Sequence, residues 1–232
     1  MTSVSRAAIL VFSRTTGYRH ESIPAGVDSI RELGASHGFA VEATEDPDVF
    51  TPRQLAGFRA VVFMNTNGTV LDPPGHAAFE AYIRTGGGYV GVHSAAATEY
   101  DWPFYGELVG AYFDRHPHVQ PGRVTVIDTT HPATAHLPPV WECVDEWYDF
   151  HTTPHTSARI LMTLDESSYT GGGMGRYHPL AWCREVAGGR TFYTAIGHTI
   201  EAYAQPAVRA HLLGGIRYAT GSARVARVSR HG

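Results

Sequence analysis

Fourteen histidines stand in a chain of 232 residues that contains no lysine, all eighteen basic side chains being arginine. Imidazole titrates near neutrality and is the commonest protein metal ligand, so histidines at special positions are the first candidates for chemistry. The missing lysine excludes chemistry too: protein-bound Schiff bases, pyridoxal-phosphate catalysis and Walker-type phosphate loops each need its amine. Three histidines fall where apolar runs end. His20 lies in the loop after AAILVFS, His93 closes YVGVH, and His198 closes RTFYTAIGH. Glu146, in DEWYDF, is the carboxylate to set beside them. On an extended strand Glu146, Tyr148 and Phe150 face one way, while Asp145, Trp147 and Asp149 face the other. A carboxylate against aromatic rings suits general acid–base work, and aromatic faces suit the apolar faces of sugars. An acidic strand with one solvated face is the plainer alternative. Three imidazoles with Glu146 would serve as acid–base machinery, with His93 and Glu146 as the pair, or as zinc ligands with Glu146 activating water; spacing does not choose.

These residues need a scaffold that gathers them. Residues 7–13, 39–43, 58–65 and 89–93 are strand-length apolar runs, separated by helical patterns opening at Ser22 and at Pro73 and closed by glycines. Apolar runs without alternation, joined by helices, predict a doubly wound, mainly parallel α/β sheet in three layers. After about residue 115, short strand candidates at 123–128, 140–150, 159–164, 178–186 and 190–196 either extend that sheet or build a β-rich insertion. A last helix follows Pro206. The expected organisation is a single α/β domain over residues 1–221 and a flexible basic tail over 222–232.

Ligands of open α/β sheets bind beyond the carboxyl ends of the strands. That rule adds Tyr18 and Glu21 after the first strand, Asn65 after the third and Ser94 after the fourth as substrate-binding candidates. Ser22 and Thr66 read instead as helix caps. His93 occupies a strand-to-helix turn where hydrolases and amidotransferases of this architecture carry their nucleophile. Neither Cys143 nor Cys183 lies in such a turn and Ser94 is one place late, so glutamine hydrolysis is excluded. His116 with His118, and His151 with His155, are weaker pairs because Pro117 and Pro154 break their geometry. The run at 171–175, GGGMG, reads as a flexible loop that could cover a pocket.

Composition narrows the partners. A net charge of −4 offers no basic field for nucleic acid or anionic lipid. The opening apolar run is too short to span a membrane, and two cysteines forty residues apart make neither a disulfide framework nor a metal pair. The expectation is a cytoplasmic protein with a small-molecule ligand, no nucleic-acid or membrane partner, and a homodimer as an open option.

Five stretches in order, GYRHESIPAG at 17–26, VGVHSA at 90–95, DWPFYGELVGAYFDRHP at 101–117, DEWY at 145–148 and HPLAWCREVAGGRTFYTAIGH at 178–198, resemble the ThuA-like, trehalose-utilisation proteins over residues 7–220. The resemblance implies a class I glutamine amidotransferase-like or flavodoxin-like fold without the cysteine nucleophile. It also implies a link to sugar catabolism, notably of disaccharides oxidised to 3-keto forms. The matching polar residues are His20, Glu21, His93, Ser94, His116, Glu146, Tyr148 and His198. His20, His93, Glu146 and His198 are therefore the catalytic candidates, and Tyr18, Glu21, Asn65, Ser94, His116 and Tyr148 the substrate-binding ones. The residues single out no cofactor, and a divalent metal such as zinc is the one they could hold. The expected function is an isomerase, lyase or hydrolase of a sugar or keto-sugar. A zinc hydrolase on the same site and a non-catalytic sugar-binding module are the alternatives.

Overall fold

The computed structural model describes residues 7–222. Its first half alternates strands and helices: β1 (Ala8–Phe12), α1 (Ile23–His37), β2 (Ala40–Thr44), the single turn α2 (Pro52–Leu55), β3 (Ala60–Met64), α3 (Pro73–Arg84) and β4 (Gly88–Val92). Then come α4 (Pro103–Val109), β5 (Phe113–Arg115), β6 (Gln120–Val126), β7 (Val140–Asp145), β8 (Asp149–Phe150), β9 (Arg159–Asp165), β10 (Pro179–Val186), β11 (Gly189–Thr194) and α5 (Pro206–Ala219).

Nine strands form one sheet in the order β2-β1-β3-β4-β11-β10-β9-β6-β7. The first five run parallel and the last four pair antiparallel, so the strand candidates of the second half extend the same sheet. Because the chain steps outward from β1 to β2 and then crosses back to β3, a crevice opens at the carboxyl ends of β1 and β3. Register sets the next strands level with it: Val92 of β4 pairs with Thr194 of β11, so the residues that follow both strands emerge side by side.

The layers follow from adjacent residues of β4. A Cβ on Gly88 would strike Ala219 of α5, whereas the next side chain, Tyr89, packs against Phe79 of α3 and Tyr105 of α4. Successive strand side chains point to opposite faces. So α5, with α1 beside it, covers one face and α3 with α4 the other. Phe12, Phe50, Phe63 and Phe79 interlock there at centroid separations of 4.7 to 5.9 Å. Burying each such ring stabilises the fold by about 2–3 kcal/mol. That core supports the left-handed backbone of Asn65 (φ 48°), His93 (φ 49°) and Glu99 (φ 53°), a conformation costly for any residue but glycine.

Several expectations need correction. The stretch 140–150 is not one strand: β7 stops at Asp145, and residues 145–150 are all buried, so there is no solvated face. The strand before His198 ends at Thr194, which puts His198 in the loop beyond it. Ser22 precedes α1 without capping it, since its hydroxyl donates to the carbonyl of Gly197, 3.1 Å away. Thr66 likewise pairs with Thr98, at 2.8 Å, instead of capping a helix. The GGGMG run is pinned, with Gly173 N–H donating to Asp149 and Met174 N–H to Glu166. The expected basic tail lies outside the described residues except for Ser222.

Candidate functional site

Four elements deliver side chains to one spot. His20 comes from the loop after β1, His93 from the turn after β4, His198 from the loop after β11, and Glu146 from the chain as it leaves β7. Ring centroids lie 4.8 Å apart for His20 and His93, 5.1 Å for His20 and His198, and 5.3 Å for His93 and His198. One ligand atom from each of the three rings and from Glu146 falls within 4.8 Å of all the others.

The Glu146 carboxylate is the hub. Its Oε2 lies 3.0 Å from His198 Nδ1 and 3.5 Å from His93 Nε2, and its Oε1 lies 2.9 Å from Nδ1 of the exposed His116. Burial alone would raise its pKa, but contact with His198 and then His93 outweighs burial and draws it down to about 2. The upward push of burial among aromatic rings is thus reversed by the imidazoles that also surround the group. His198 responds in kind: burial lowers its pKa, but Glu146 and Asp145 bring it above the ordinary value. His20 drops to about 3, through burial first and then the neighbouring His93 and His198.

Each group is held from behind. His93 Nδ1–H donates to the carbonyl of Ala195 at 2.7 Å, which fixes the tautomer and turns Nε2 into the cluster. The Tyr193 hydroxyl donates to the His93 carbonyl at 2.8 Å, and the Tyr148 ring covers the imidazole at 4.1 Å. Ser94 Oγ meets His20 Nδ1 at 3.2 Å. Asp145, wholly buried, accepts the backbone N–H groups of Glu146, Gly197 and His198 at 2.8, 2.9 and 3.0 Å. One carboxylate therefore fixes the chain at both Glu146 and His198. Burial raises its pKa, against the opposing pull of His93 and the three amides. The Gly197 carbonyl in turn accepts from Ser22, from Asn65 Nδ2 at 2.9 Å and from Tyr203 at 2.9 Å.

A cleft of about 310 Å³ opens over His20 and His198, lined also by Tyr18, Glu21, Val119 and Ile200. Tyr18, 62% exposed, stands edge-on to His20 at 4.8 Å. A neighbouring hollow between α1 and β2 has Arg19 and Glu45 already paired at its mouth.

The ThuA family model, described as trehalose utilisation, matches residues 8–219. The chain belongs to the ThuA family. Among solved structures, a ThuA-like protein from Bacteroides uniformis superposes with a TM-score of 0.79 at 22% identity, covering 94% of this chain and 93% of that one. A ThuA-like protein from Parabacteroides merdae gives 0.77 at 21%, covering 97% and 94%. A cytoplasmic protein from Salmonella typhimurium, STM1381, gives 0.67 at 11%, covering 91% and 99%, a likeness of fold. No match was found among curated proteins.

In this ThuA chain His20, His93, Glu146 and His198 are brought together, with His116 touching the carboxylate from outside. Tyr18 and Glu21 line the cleft. Ser94 and Asn65 are wholly buried and hold neighbouring groups, His20 and the Gly197 carbonyl, from inside. His118, His151 and His155 stand apart; His151 meets Asp114 at 3.3 Å and His155 meets Ser157. Sequence reasoning missed Asp145, Tyr193 and Tyr203. The adjacent acids Asp145 and Glu146 were the available signal, but two neighbours on a strand should diverge, and only the break after β7 lets both serve one site. Among the described residues no helix is long and apolar enough to cross a membrane.

Proposed function

We propose that this chain is a carbohydrate-acting enzyme that moves a proton next to the carbonyl of a keto-sugar of the trehalose class. Its family's association with trehalose utilisation supports the substrate class. The observation that carries the reading is a buried carboxylate ringed by imidazoles, two of which, His20 and His198, line a cleft walled by Tyr18, Val119 and Ile200. A ketone acidifies the C–H bond beside it. Glu146 takes that proton and returns it, and the cluster around it stabilises the charge that develops on the carbonyl oxygen. A positioned group of this kind contributes about 10²–10⁴-fold in rate. The exposed Tyr18 ring offers a face for the apolar side of a sugar.

The test is solvent exchange. Incubated in D₂O with 3-keto-trehalose, the enzyme should place deuterium on the carbon next to the ketone, seen by NMR, and Glu146→Gln should abolish it. If keto-disaccharides bind and none exchanges, isomerises or cleaves, the enzyme reading fails and a sugar-binding module stands in its place.

A further inference from the structure

His93 Nε2 poses a problem of donors and acceptors. With its Nδ1–H committed to Ala195, the neutral ring presents a bare lone pair at Nε2. That nitrogen is buried and has no hydrogen-bond partner among the described residues. The polar atom it faces, Glu146 Oε2 at 3.5 Å, is another acceptor. His198 Nδ1, 3.0 Å from the same oxygen, is likewise outside hydrogen-bonding geometry. Three imidazoles and a carboxylate that converge on one point, two of the ring nitrogens unpartnered, call for a cation between them.

We infer that His20, His93 and His198 form the binding site of a divalent transition-metal ion of zinc-like character, with Glu146 at its open side. Imidazole nitrogens suit such an ion, and three protein ligands with a further exchangeable position is the pattern of catalytic rather than structural sites. The outer contacts are those that ligating histidines need: a backbone carbonyl behind His93 and the Ser94 hydroxyl behind His20. Tetrahedral ligands at about 2.0–2.1 Å from zinc lie roughly 3.3 Å apart, so the groups, now within 4.8 Å of one another, need close in by no more than about 1.5 Å. The ion would supply Lewis-acid stabilisation of a substrate oxygen.

A second cluster, Asp149, Glu166 and His178, shows what a non-site looks like. Asp149 is paired with Arg115 at 3.1 Å and accepts Gly173 N–H, Glu166 accepts Met174 N–H, and His178 Nε2–H donates to the Tyr148 carbonyl at 2.9 Å. His178 Nδ1 in turn meets Glu166 at 2.9 Å and the Tyr169 hydroxyl at 3.2 Å, so each member of this cluster already has hydrogen-bonding partners, unlike His93 Nε2.

The inference is tested by metal content, not turnover, so its failure is separable from failure of the sugar chemistry. Full-length protein made without a histidine tag should carry one equivalent of metal by mass spectrometry. After chelation it should rebind Zn²⁺ stoichiometrically in a calorimetric titration. Cobalt substitution should give the intense visible bands of a tetrahedral ion. His93→Ala and His198→Ala should each weaken binding at least about 100-fold, and His178→Ala should leave it unchanged. His198→Ala, at a partly exposed position, and His20→Gln keep the test open if His93→Ala fails to fold. Substoichiometric metal with no titration heat overturns the inference. So does an ion that survives both alanine variants.

Discussion

Two groups of histidines, one at the strand ends and one beneath α5, begin from the same local arrangement. His93 Nδ1–H donates to the Ala195 carbonyl at 2.7 Å, and His211 Nδ1–H, on α5, donates to the Ala133 carbonyl at 2.7 Å; each leaves its Nε2 buried and without a hydrogen-bond partner among the described residues. What surrounds them differs. His93 faces a carboxylate and two more imidazoles at the strand ends, whereas His211 lies against the Phe192 ring at 5.3 Å, with His131 on the same ring at 6.4 Å. Burial and a fixed tautomer therefore do not make a histidine functional. On the proposed reading, what does so is convergence with Glu146 beside an open cleft.

The largest effect expected from this contrast is at the hub. Glu146→Gln keeps the shape and removes the charge, and should lower turnover of a keto-sugar by about 10³-fold. His211→Leu, which removes an equally buried polar ring, should change turnover by no more than about twofold. Steady-state kinetics on both variants decide the matter, and equal losses would break the distinction between the two groups.

His131 and His211 should show themselves in stability instead. Burial, the leading cause for each, depresses His131 and His211 to about 4. Above an unfolded pKa near 6.5 both states are neutral and neither ring affects stability. As pH falls from about 6.5 towards 4 the unfolded chain binds protons that the folded chain refuses, so stability drops, by up to roughly 3 kcal/mol per ring. Thermal melts between pH 7 and 4 should be visibly flatter for His211→Leu than for the parent. An unchanged slope would mean that the ring is protonated within the fold.

Asp145 joins the two kinds of burial, being shut away like His211 yet tied to the cluster. In Asp145→Asn the oxygen at the Oδ1 position can still accept from Glu146 and His198, but its NH₂ then faces the Gly197 N–H, donor against donor. The cost should be about 1–3 kcal/mol in a denaturant titration, together with a fall in kcat as Glu146 and His198 lose their common anchor. A stability loss with kcat intact would show that the anchor is structural only.

The contrast also marks what the sequence could reveal. The apolar runs of β1, β3 and β4 announce a parallel sheet buried on both faces, and the strand-end rule then places His20, His93 and Asn65 on one rim from the sequence alone. The antiparallel extension is visible only as short strand candidates, because whether such strands join a sheet or form an insertion depends on pairings as distant as that of Val124 with Leu164. The break at Asp145 was hidden for the same reason. It is made by amides more than fifty residues away, and local periodicity continues straight through it. His131 and His211 look no different from the rim histidines in sequence, since a distant phenylalanine rather than a distant carboxylate is what sets them apart.

The smallest expected effect lies at the outer edge of the rim group. Tyr18 touches His20 edge-on and keeps most of its surface in solvent, so the fold does not need its ring. If that ring is the platform for the sugar, Tyr18→Ala removes about 1 kcal/mol of binding, which is roughly fivefold in KM. Its kcat should stay near the parent value, because an interaction equal in the bound substrate and the transition state leaves kcat unchanged. Tyr18→Phe should restore KM, since the face and not the hydroxyl is the contact. A fall in kcat would instead tie Tyr18 to His20 as part of the proton-transfer machinery and move the boundary of the working group outward by one residue.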